Sequence, residues 1–253
     1  MATIRVLLAG ESWMSSSTHY KGWDFFSSAV YETGIESLQK ALAVEGLTFE
    51  HLPSHLAAAR FPSTLDELSA YDVVMLSDIG ANTLLLHPDT WLHGKSTPNR
   101  LKLLKQWVEQ GGALAMCGGY LSFAGIYGSA KYYRTAIEEI LPVNLHTFDD
   151  RVEVPEGAVA QVVAADHPIL QGVAGDWPVL LGYNELVLKP DAQLLAKVGE
   201  SDHPLLAVRT VGQGRTLIWA SDIGPHWCPE PFLKWDGYGK IWRQAIQWLG
   251  GNL

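Results

Sequence analysis

The chain has 253 residues, 47% of them apolar and 18% charged, with a formal net charge of −9 at neutral pH. This is ordinary globular composition near the upper size for a single core. The acidic balance excludes the clustered Lys and Arg of a nucleic-acid binder, and no apolar run is long enough to cross a bilayer.

Taken in chain order, the elements alternate. Ile4 to Ala9 is a continuous apolar run, as expected of a central parallel strand covered on both faces, and lacks the charged start of a signal peptide. Trp13 to Trp23 mixes Ser, Thr18, His19, Tyr20 and two Trp, which suits a lid over a crevice or a subunit contact in a homo-oligomer. Tyr31, Ile35, Leu38 and Leu42 recur at helical spacing. Leu47 to Leu52 is a second strand and Val73 to Ser77 a third, running into a loop of turn formers at Asp78 to Asn82. Leu101, Leu104, Trp107 and Val108 mark a helix that Gly111 ends, and Ala113 to Met116 is the fourth strand.

Beyond Pro142 the helical stripes fade into short alternating runs, which predicts a β-rich insertion over about 143–200 in an α/β core. Leu205 to Val211 and Thr216 to Ala220 read as a hairpin. Tyr238, Ile241, Trp242, Ala245, Ile246 and Leu249 share one face of a last helix. The expected architecture is one α/β domain over 1–253, a flavodoxin-like three-layer sandwich with a mostly parallel central sheet. Two cysteines without a dense spacing pattern suit a reducing cytoplasm.

Two places carry chemistry. Cys117 ends the fourth strand and precedes Gly118, Gly119 and Tyr120, the pattern of a strained strand-to-helix elbow that displays one side chain at the carboxyl edge of a sheet. The bland alternative is a buried, space-filling thiol. After the strand at 216–220 come Asp222, Gly224, Pro225, His226, Trp227, Cys228 and Glu230. An imidazolium there would stabilise a Cys117 thiolate, and either Asp222 or Glu230 could orient the imidazole. Otherwise His226 simply caps a loop. Glu11 follows the first strand and Asp78 the third, so both are placed at the same edge, Glu11 either in the crevice or as a solvated loop carboxylate. Tyr120 and Trp227 complete the expected lining. No zinc spacing, dinucleotide fingerprint or P-loop is present, so no metal or cofactor is expected.

The phrases Gly10-Glu11-Ser12-Trp13, Phe61-Pro62-Ser63-Thr64, Leu76-Ser77-Asp78-Ile79-Gly80-Ala81-Asn82, Gly118-Gly119-Tyr120 and Ser221-Asp222-Ile223-Gly224-Pro225-His226-Trp227 carry a resemblance. The chain is similar to the class I glutamine amidotransferase-like superfamily, in the branch described as "putative glutamine amidotransferase". The resemblance implies Cys117 as the nucleophile of a thioester, His226 as general base, and the amide of Gly118 with the position of Gly80 as the oxyanion hole. The chain departs from the family's Gly-x-Cys-x-Gly at Ala115 and from its His-x-Glu at Cys228. Two function classes follow. One is thiol-dependent amide hydrolysis or transfer on a small substrate. The other is a non-catalytic small-molecule-binding or assembly protein that keeps the fold. In the first class the Cys117 pKa is depressed by His226 and by the N-terminus of a helix after the elbow.

Overall fold

A computed structural model describes residues 3–173, 175–200 and 203–253. Strand β1 (Ile4–Gly10) leads into a long hairpin, β2 (Ser12–Lys21) and β3 (Asp24–Thr33). Helix α1 (Glu36–Leu42) returns to β4 (Leu47–Leu52), and α2 (Ser54–Arg60) and α3 (Leu65–Leu68) precede β5 (Val73–Ser77). Helices α4 (Ala81–Leu85), α5 (Pro88–His93) and α6 (Arg100–Glu109) connect β5 to β6 (Ala113–Cys117). Helix α7 (Ala136–Ile140) is followed by β7 (Val143–Asn144), β8 (Arg151–Ala158), β9 (Ala160–Val162), β10 (Leu180–Asn184), β11 (Val187–Leu188) and β12 (Gln193–Val198). The hairpin β13 (His203–Val211) and β14 (Gly214–Trp219), then α8 (Glu230–Leu233) and α9 (Asp236–Leu249), complete the order.

Among the described residues, eight strands form one sheet in the order β4-β1-β5-β6-β14-β13-β12-β9. The first five run parallel, and β13, β12 and β9 extend the sheet antiparallel. The parallel part has the flavodoxin-like order 2-1-3-4-5. Strands β5 and β6 are buried at every position, which is why they read as unbroken apolar runs. Helix α9 packs its apolar stripe on α1, β1 and β14, while α6 packs on β6 with α3, α4 and α7. The stretch expected as a β-rich insertion holds β7 to β12. Of these, β9 and β12 join the main sheet, β8 pairs with β10, and β7 pairs with β11.

Three local expectations differ from the structure. Tyr31 lies in β3 and not on a helix, because Val30, Tyr31 and Thr33 are strand formers and Gly34 separates them from α1. Asn82 belongs to α4, where turn formers at 78–80 deliver the chain to a helix start. No helix follows Gly118 and Gly119. Residues 118–125 form successive turns, held by the side chains described below. No helix among the described residues is long and apolar enough to cross a membrane.

Candidate functional site

Four strand ends converge at the carboxyl edge of the parallel sheet. Gly10 takes φ +110°, and a Cβ there would lie 1.9 Å from the carbonyl oxygen of Ser77, so β1 and β5 touch where only glycine fits. Glu11 follows with φ 48°, unusual for a residue with a side chain. Its amide donates to the Ser77 carbonyl at 2.7 Å, and the Ser77 hydroxyl donates to Glu11 Oε2 at 2.6 Å. Gly34 closes over this carboxylate, since a Cβ at Gly34 would lie 2.3 Å from Oε1.

After β5, Asp78 also adopts a positive φ, 43°. Its amide donates to Ser122 Oγ at 3.1 Å, and its carboxylate accepts the Leu121 amide at 2.6 Å. After β6, Gly119 at φ +138° lies between two acids: a Cβ there would be 3.0 Å from Oδ1 of both Asp78 and Asp222. After β14, Asp222 Oδ2 lies 3.1 Å from His226 Nδ1 and accepts the Trp227 amide at 3.0 Å. His226 has φ 108°, a third strained position in the same crevice. Its ring stands edge-on to Tyr120, 4.8 Å between centroids, and stacks on Trp227 at 5.6 Å. Trp13, from the base of the β2–β3 hairpin, and Pro225 complete the lining of a cavity of about 280 Å³ that Glu11, Asp78, Tyr120, Asp222 and His226 share.

The electrostatics follow from this packing. Burial, reinforced by the charge of Asp222, pushes the Glu11 carboxyl up to about 8. Burial likewise raises Asp78 to about 6, against the pull of the Leu121 amide. The Asp222 hydrogen bond raises the pKa of half-exposed His226. Burial first, then the charges of Glu11 and Asp222, hold the Cys117 thiol well above its ordinary value.

The sequence-predicted residues divide accordingly. Glu11, Asp78, Tyr120, Asp222 and His226 meet around one cavity. Trp227, expected in the lining, is instead buried behind the His226 ring, and its indole donates to Glu153 at 2.8 Å. Cys117 is fully buried, has no positive φ, and interacts with Ser77. The elbow strain expected at Cys117 is instead on Glu11, Asp78 and His226. Of the two sources expected to depress the thiol pKa, His226 and the N-terminus of a following helix, that helix is absent, and the charges acting on the thiol are those of Glu11 and Asp222. The amide of Gly118, expected as an oxyanion donor, already donates to the Trp219 carbonyl at 2.7 Å. Gly80 caps α4, and a Cβ there would face the Ala130 carbonyl at 3.6 Å. Of the two candidate acids, Asp222 is the one beside His226. Glu230 is exposed, pairs with Lys234 at 2.5 Å, and lines a larger cleft, about 540 Å³, beside α8 and α9.

Sequence reasoning missed Asp150 and Asn184, both buried. Asp150 accepts the amides of Ala124 and Gly125 at 3.0 and 2.8 Å, and Asn184 donates to it at 2.8 Å. Asn184 Oδ1 accepts the Gly119 amide at 3.0 Å. Together they shape the turns after β6. The only sequence signal was a polar residue at each end of a short strand run.

Residues 5–251 match the family model described as "Putative glutamine amidotransferase". Among solved structures, the chain is similar to two cytoplasmic proteins of Salmonella typhimurium. To STM3548 it is 41% identical, covering 96% of this chain and 98% of that one, with a TM-score of 0.92. To STM1381, from strain LT2, it is 39% identical over 97% and 99% of the two chains, also at 0.92. A "thua-like protein" of Bacteroides uniformis, at 11% identity over 98% and 92%, with a TM-score of 0.58, shares the fold. No curated protein matches the chain.

Proposed function

The chain belongs to the glutamine amidotransferase-like family, and from that premise we propose that it works as a small-molecule-binding member whose crevice, and not a Cys117 thiolate, is the working site. The observation that carries this reading is the pairing of His226 with Asp222 at 3.1 Å in an open cavity whose other acids are Glu11 and Asp78, while the thiol lies sealed beneath. A nucleophilic cysteine is useful as its thiolate, and burial beside two carboxylates opposes that form. Three strained residues around one cavity point to a constrained ligand site. The ligand class is a small polar molecule rich in hydrogen-bond donors, because carboxylate oxygens dominate the polar lining. The Asp222–His226 pair would exchange a proton with it. A cytoplasmic location belongs to the same reading, supported by two unpaired cysteines and by the names of the Salmonella relatives.

The test follows the His226 imidazole by NMR while small amines and polyols are added. Saturable perturbation that survives Cys117→Ala and disappears in Asp78→Asn and Asp222→Asn is the expected result. Ammonia release from L-glutamine by the wild type, abolished by Cys117→Ala, would return the chain to thioester chemistry and sink this reading.

A further inference from the structure

Two rings pack on His226, and one side chain from outside the cavity holds both. Glu153 Oε1 accepts the Tyr120 hydroxyl at 2.9 Å, and its Oε2 accepts the Trp227 indole at 2.8 Å. Glu153 sits in β8, in the two-stranded β8–β10 ribbon that lies outside the parallel sheet. Arg151, two residues earlier, shares its face of the strand. The Arg151 guanidinium lies over the Tyr120 ring, 4.4 Å from its centroid, and 3.7 Å from Glu153 Oε1. Asp149 anchors that guanidinium with two bonds of 2.9 Å.

The backbone makes room for this bridge. Gly182 is the register partner of Glu153 on β10, and a Cβ there would lie 2.3 Å from the Trp227 indole nitrogen. A side chain at 182 would push the indole off Glu153. His226 needs the support that the two rings give. Its φ of 108° is a conformation kept only where the surroundings hold it. The Asp222 carboxylate engages Nδ1 alone, and one contact does not fix a ring plane. Tyr120, at 76° and 4.8 Å, and Trp227, at 21° and 5.6 Å, set that plane.

We propose that Glu153 is a positioning residue of the crevice: by bridging Tyr120 and Trp227 it fixes the plane of the His226 ring that the ligand meets. This rests on the crevice being the working site, and it adds to that site a residue that does not line the cavity. Hydrogen bonds to a carboxylate are the stronger kind, so the bridge holds although 47% of the Glu153 side chain is exposed. Binding sites keep their geometry where such outer groups lock the inner ones. The β8–β10 ribbon thus shapes a site built on strands with which it does not pair.

Proton NMR of the His226 ring tests the role, with the signal assigned by its loss in His226→Gln. Spectra are taken at alkaline pH, where the imidazole is neutral and the charge of residue 153 no longer alters its protonation. Glu153→Ala should displace the His226 signal, because the ring currents of Tyr120 and Trp227 move with their rings. Glu153→Gln should hold it at the wild-type position, since its oxygen still accepts the indole and its amide donates to the Tyr120 hydroxyl. An unmoved signal in Glu153→Ala overturns the proposal, and so does a displacement in Glu153→Gln equal to that in Glu153→Ala. Should Glu153→Ala fail to fold, Tyr120→Phe keeps the ring and removes its tether, and an unmoved signal there overturns the proposal instead. Ethanolamine, at once an amine and an alcohol, is then titrated at neutral pH. Its Kd should be about tenfold weaker in Glu153→Ala, the effect of one lost charge-assisted hydrogen bond, and unchanged in Glu153→Gln. Equal affinity in all three proteins overturns the role. If ethanolamine leaves wild-type His226 unmoved, it is the binding reading that fails, and the ring displacement alone decides the role of Glu153.

Discussion

Glu11 is a carboxyl group held out of water with one hydroxyl, Ser77, bonded to it. Its pKa rises from 4.5 to about 8 in the folded chain, so the folded state keeps a proton that the unfolded state has lost. The contribution to stability is therefore complete below pH 4.5 and is lost as pH rises toward 8. Glu11→Gln removes that dependence. Thermal unfolding at pH 5 and pH 9 should show the variant gaining on wild type at the higher pH, by on the order of a few kcal/mol. A pH-independent difference would contradict the buried-proton account. At this scale the sequence was a partial guide. Strand ends are readable as places, so Glu11, Asp78, Asp222 and His226 could be assigned to one edge. Which of them faces open space depends on tenths of an ångström, such as the approach of Gly34 to Glu11 and the donation of the Gly118 amide to Trp219. Cys117 had the position of a nucleophile, and packing decided its environment.

Among the elements, the short helices were hardest to read. Helices α2 and α4 have seven and five residues, too few to show a periodic stripe. They are organised by Arg100 at the start of α6, 1% exposed. Its guanidinium donates to the carbonyls of Leu84 at 2.6 Å, Ala58 at 2.9 Å and Ala57 at 3.3 Å, tying together the last turns of both helices. Arg100→Met removes the donor from the Leu84 and Ala58 carbonyls, while that of Ala57 keeps the Phe61 amide. It should cost about 3 kcal/mol in urea unfolding, with no change in slope. A loss under ~0.5 kcal/mol, the range of ordinary surface substitutions, would show that water replaces the guanidinium. The hairpin was missed for a different reason. Its alternation is of exposed polar and exposed aromatic residues, without the buried face that sequence patterns rest on. Only Gly22 in a two-residue turn marked it.

For the whole molecule, the order of buried strands and amphipathic helices carried the α/β class, because β1, β5, β6 and β14 are covered on both sides and must read as apolar runs. The antiparallel pairing of β13 with β14 was legible as a hairpin, whereas the further extension by β12 and β9 was visible only as a change of texture, since those pairing partners are set by tertiary contacts. This architecture brings the ends of β1, β5, β6 and β14 around one cavity and leaves Cys117 below it. The claim that the cavity, and not the thiol, is the working site is tested most directly by alkylation. Native protein would be treated with iodoacetamide between pH 6 and pH 9, and the fraction of Cys117 modified followed by mass spectrometry. Folded Cys117 is expected to label far more slowly than in urea at every pH, unchanged by His226→Ala. Rapid labelling near pH 7, slowed by His226→Ala, would contradict it.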